Sequence, residues 1–99
     1  MNKKSEQHIK YIAELRCINH LKDEGYTVFR VYQNSKTVNI IAINEQIVRI
    51  IKVRTTAKEE AKINPEERLA LMTINMPKNI KIEIWVWQIG KGWYNQTII

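Results

Sequence analysis

The chain has 99 residues, 44% of them hydrophobic and 26% charged, with one cysteine and a formal net charge of +6 at pH 7. That length supports one domain and is too short for two, and the composition excludes a disordered chain. The lone Cys17 excludes an internal disulfide and a cysteine-based zinc cluster, no apolar run reaches the ~18 residues of a membrane span, and the positive excess favours polyanionic partners, nucleic acid first.

In chain order, residues 5–24 read as a helix of good helix formers, with Ser5 placed to cap it and Gly25 to end it. Met1 to Ser5 leads into this mixed helix and not into an apolar signal core, so the protein is expected to be soluble and intracellular, in the cytoplasm or on the nucleoid, with no membrane partner. Residues 26–32 are β-branched and aromatic and read as a strand. A polar loop, Gln33 to Lys36, follows. Two more strands, 37–43 and 46–55, are joined by a short turn at Asn44-Glu45. Asn64-Pro65-Glu66-Glu67 starts a second helix, with Asn64 as cap, Pro65 first and Glu67 closing a capping box. It stops near Asn75, before Pro77. Ile80 to Ile89 alternates, with Ile80, Ile82, Ile84 and Val86 on one face and Lys81, Glu83, Trp85 and Trp87 on the other. Gly90-Lys91-Gly92 turns the chain into a last strand from Trp93. The order α-β-β-β-α-β-β predicts a single α/β (α+β) domain over 1–99, a mixed sheet flanked by helices.

The central hairpin brings polar residues together. With a two-residue loop, Asn39 pairs with Ile50, Lys52 lies diagonal to Asn39, and Arg54 continues the same face. A four-residue loop keeps that parity and a three-residue loop breaks it. Asn39, Lys52 and Arg54 thus interrupt a face otherwise made of Ile41, Val48 and Ile50. On the first helix, Glu14 points into an arc shared with Tyr11, Cys17, Ile18 and Leu21, toward the protein, with Lys10 as its simplest partner at i,i−4.

Three segments together, Glu14 to Tyr26 with its Gly25-Tyr26 entry to the first strand, Asn39-Ile40-Ile41-Ala42, and Lys52-Val53-Arg54, resemble the archaeal Holliday-junction resolvases of the PD-(D/E)XK, restriction-endonuclease-like group. The likeness covers about residues 5–58 and, beyond them, only the element order. It implies an αβββαβ core, a Glu on the first helix, a metal-binding Asp opening the second strand and a Glu-x-Lys closing the third. The spacing from Asn39 to Lys52 is the one the family uses from Asp to Glu.

The departures decide the expected chemistry. Glu14 survives, but Asn39 replaces the Asp, Lys52 the second Glu and Arg54 the Lys. Three acids and a lysine carry −2, whereas this set carries +1. Mg²⁺ seeks carboxylate oxygens. A lysine ammonium about 6 Å away repels it by roughly 5 kcal/mol at an effective dielectric near 20. Without the ion nothing acidifies an attacking water, so catalytic residues and a bound metal or other cofactor are not expected. Lys52 could instead close a charged lock with Glu14.

The resemblance implies that Ser35, Lys36, Lys52, Arg54 and Lys58 lie on or near the side that faces nucleic acid, where hydroxyl and ammonium groups suit phosphate contacts. Trp85, Trp87 and Trp93 suit base stacking in principle, but core packing is favoured. His8 and His20 lack a second ligand at metal spacing. The function expected is a non-catalytic nucleic-acid-binding module, DNA ahead of RNA, on a nuclease scaffold. One alternative is an active, Mg²⁺-dependent junction endonuclease with an atypical site. Another is a pseudo-nuclease subunit that acts by pairing with an active nuclease in a heterodimer; otherwise the chain is expected to form a homodimer.

Overall fold

The computed structural model describes residues 3–31, 38–56, 65–66 and 79–98, with side chains in the first stretch from His8 onward. It comprises α1 (Lys3–Asp23), β1 (Thr27–Arg30), β2 (Ile40–Ile43), β3 (Val48–Thr56), β4 (Ile80–Gln88) and β5 (Gly92–Thr97). Of the second helix expected over 64–75, only Pro65 and Glu66 are described, and both are helical. The remainder of that helix and the loop at 33–36 lie outside the described residues.

The five strands form one sheet in the order β1-β2-β3-β4-β5. Only β3 and β4 run parallel; the other three ladders are antiparallel. This is a mixed α+β sheet with α1 laid across one face. Among the described residues no helix is long and apolar enough to cross a membrane.

Helix α1 is already helical at Lys3, so Ser5 lies inside it and does not cap it. Its end is set by Gly25, whose φ of +95° suits a residue without Cβ. Gly25 N–H donates to the Lys22 carbonyl and Tyr26 N–H to that of Leu21, each at 3.0 Å, which closes a Schellman motif. The chain therefore turns directly into β1, with Tyr26 packed beside Leu21.

Both faces of the sheet are buried. Toward α1 lie Ile40, Ala42, Ile51, Val53 and Trp85, against Ala13, Cys17 and Leu21 at helical spacing. The opposite face holds Ile50, Ile82, Ile84 and Val86, with Val48 and Ile80 beside them. This matches the alternation expected along β4.

The β2–β3 turn differs in length. Ile43 pairs with Val48, so the loop is Asn44 to Ile47 and not two residues. Asn44 explains the longer loop, because its Oδ1 accepts the N–H groups of Gln46 and Ile47, each at 2.9 Å, in an Asx turn. The register moves by two residues and parity is kept. Continued by one step it sets Asn39 opposite Lys52, where a two-residue loop predicts Ile50.

Candidate functional site

Glu14 stands on the buried stripe of α1 and is only 6% exposed. Its carboxylate accepts a hydrogen bond from Nη2 of Arg30, at the end of β1. Arg30 reaches it because Val28 and Arg30 alternate onto the face covered by α1, with Arg30 opposite Ile40. The guanidinium also lies 4.8 Å from the ring centre of Tyr11, one turn before Glu14. Glu14 therefore pairs with Arg30, and neither the Lys10 pair nor the Lys52 lock expected from sequence is the one formed.

Asn39 precedes β2 and is buried. Its backbone stitches the strands on either side: Asn39 N–H donates to the Ile51 carbonyl at 2.9 Å and its own carbonyl accepts from Val31 at 2.8 Å. Its side-chain Oδ1 accepts the Val53 N–H at 2.8 Å. The Asn39 amide oxygen is thus committed to holding β3. Lys52 and Arg54 are half-buried and alternate onto the face opposite α1, with Ile50. Ser35, Lys36 and Lys58 lie outside the described residues.

These residues do not fit a divalent cation. The single carboxylate is held by a guanidinium, the neutral oxygen serves the backbone, and the two remaining positions are cationic. Among the described residues, no three His, Cys, Asp or Glu side chains group to hold a metal.

A second polar cluster lies under α1. Arg49 donates to Glu83 through Nε at 2.6 Å and Nη2 at 2.7 Å, and Trp85 Nε1 donates to the same carboxylate at 3.1 Å. Arg49 also lies 5.1 Å from the Tyr26 ring centre. The hydrogen bonds it donates to Glu83 raise the Arg49 pKa above its ordinary value despite the opposing effect of burial. Beside it, burial pushes the Cys17 thiol well above its usual range. The alternation along β4 puts Glu83 on the Trp85 face, but nothing in sequence names Arg49 as its partner.

The tryptophans divide. Trp85 is core, with its ring edge-on to His20 at 5.5 Å and to Trp93 at 5.4 Å. Trp87 and Trp93 are half-buried. His20 bonds Glu24 at 2.8 Å on the outer surface of α1.

The chain joins a long helix to a mixed sheet with an antiparallel β1-β2-β3 meander and a parallel β4, and this fold is shared by solved structures. One solved structure with it is Hjc from Archaeoglobus fulgidus, a Holliday junction resolvase from an archaeal hyperthermophile. It matches 89% of this chain and 76% of its own at a TM-score of 0.71, with 15% sequence identity. The two chains share a fold. No protein-family model and no curated protein matches this sequence.

Proposed function

We propose that this chain is a non-catalytic nucleic-acid-binding module, DNA ahead of RNA, that keeps a nuclease scaffold and holds an arginine where a nuclease holds its metal. The observation that carries this is the Glu14–Arg30 pair. Glu14 is the one carboxylate left among the four family positions, and its charge is already balanced by a fixed guanidinium packed on Tyr11. A divalent ion would have to expel that cation, and neither the neutral Asn39 nor Lys52 and Arg54, which face away from α1, offers it a carboxylate. The net charge of +6 supports a polyanionic partner. The activity named for the neighbour makes a four-way junction the first substrate to try.

The test is one titration of the protein into a labelled four-way junction and a matched duplex, with Mn²⁺ present and absent, at two salt concentrations. Binding that weakens with salt, ignores Mn²⁺ and leaves every strand whole is the expected result. Mn²⁺-dependent cleavage that is abolished by Glu14→Ala overturns the non-catalytic assignment. An absence of binding to either DNA overturns the nucleic-acid assignment and favours a role in protein association.

A further inference from the structure

We infer that the cleft between α1 and the end of β4 is a seat for one unpaired nucleobase and its phosphate. The inference rests on the nucleic-acid function proposed above and adds to it a preference for unpaired over fully paired strands.

The cleft has a volume of about 190 Å³ and is lined by His8, Ile9, Ile12, Arg16, Trp87 and Ile89. Its helical wall repeats at i, i+4 and i+8 through His8, Ile12 and Arg16, so one face of α1 supplies apolar and basic groups together. Its other wall is the end of β4 and the residue that follows it, where Trp87 is half-buried and Ile89 is 41% exposed. The indole of Trp87 is braced from the side by Trp93, with ring centres 5.1 Å apart and planes at 75°. The Arg16 guanidinium lies 4.4 Å from its ring centre. The result is a braced aromatic plate with a cation stacked on it, isoleucine on both sides, and no carboxylate among the described lining residues.

That chemistry selects its occupant. Drug-sized pockets run from about 300 Å³ upward, so this cleft suits a single ring system. The ring should be flat and apolar on its faces, because indole and guanidinium planes both accept stacked bases. An attached anion matches Arg16, and the overall charge of +6 favours the same polymer. Bases inside a duplex are stacked on one another and cannot enter; those of a single strand or a frayed end can. In the bound form the base stacks on the Arg16–Trp87 pair between Ile12 and Ile89, and its phosphate lies on the basic edge.

The experiment compares a labelled oligothymidine with a blunt duplex of equal length by fluorescence anisotropy at one low salt concentration. Wild type is tested beside Trp87→Leu and beside Ile89→Glu, which sets a like charge at the mouth without touching the core. Both variants should bind oligothymidine about tenfold more weakly and the duplex unchanged, since base–aromatic stacking is lost or the phosphate repelled. Trp87→Phe should keep most of the affinity. If both variants bind oligothymidine as wild type does, the cleft is not a base seat, and the nucleic-acid function stands without it. If wild type binds neither DNA, both proposals fall together.

Discussion

Arg49 and Glu83 lie diagonally across the parallel β3–β4 ladder and meet through two hydrogen bonds, beneath a helix that leaves their side chains 18% and 8% exposed. Such a pair gives little net stability over an apolar replacement, but removing one partner strands the other. Arg49→Met should therefore cost about 3 kcal/mol, because among the described residues the Glu83 carboxylate then keeps only the Trp85 N–H. Adding Glu83→Leu should recover most of that loss. Urea denaturation of the two single variants and the double variant measures the coupling directly.

The Asn39 side chain should stabilise the fold through the backbone of β3. Asn39→Ala leaves the Val53 N–H buried and unpaired, a cost of about 1–3 kcal/mol. Asn39→Asp keeps the acceptor and should cost less. Denaturation midpoints in the reverse order would show that the amide N–H₂ group, not Oδ1, is what matters.

On the proposed reading, Arg30 should compete with a metal site built at Glu14. In a variant carrying Asn39→Asp and Lys52→Glu, Mn²⁺ should raise the melting temperature only slightly while Arg30 remains on Glu14. Adding Arg30→Met should raise that gain to several degrees, as expected for a ligand well above its Kd on a domain this small. Equal shifts with and without Arg30 would mean that the guanidinium does not occupy the metal position.

Lys52 and Arg54 should contribute to binding through charge alone. Replacing either with Gln should reduce the slope of log K against log salt by about 1. A loss of affinity with no change in slope would assign them to the fold instead.

Cys17 gives a pH dependence with a definite sign. Its thiol is raised in the folded protein from an ordinary value of 9.0, first by burial, against the pull of Arg49 and with smaller contributions from Glu83 and Glu14. The unfolded chain loses this proton first, so the contribution is whole below pH 9 and declines above it, by about 1.4 kcal/mol per pH unit. Wild type should therefore lose stability between pH 9 and 10.5 more steeply than Cys17→Ala. At pH 8 a thiol reagent should label Cys17 only after denaturant is added.

The order of the described elements, the faces of β4 and the inward lean of Glu14 were legible because they follow from local periodicity and chain punctuation. Gly25 was legible as a terminator for the same reason. The length of the β2–β3 turn was not, because Asn44 makes its two side-chain bonds forward to residues that a shorter loop would place in β3. Arg30 and Arg49 escaped notice for a different reason. Their partners lie 16 and 34 residues away, and a cation on a strand looks like a solvated side chain until the packing of α1 is known. The Arg16–Trp87 stack joins the helix to a strand 71 positions later in the chain, beyond any pattern that spacing can reveal.

Every ladder in the sheet joins strands that are consecutive in the chain, and β4 must pair with β3 in parallel. On the ribosome, the segment through Thr56 therefore emerges with one side of β3 still waiting for Ile80 to Gln88. That waiting edge contains Ile50, Ile51 and Val53, a run suited to pairing with another nascent chain. Arg49, Lys52 and Arg54 are interleaved with it, and charges so placed act as gatekeepers against such pairing. Cations interleaved with that apolar run are thus placed to guard the half-made sheet from aggregation.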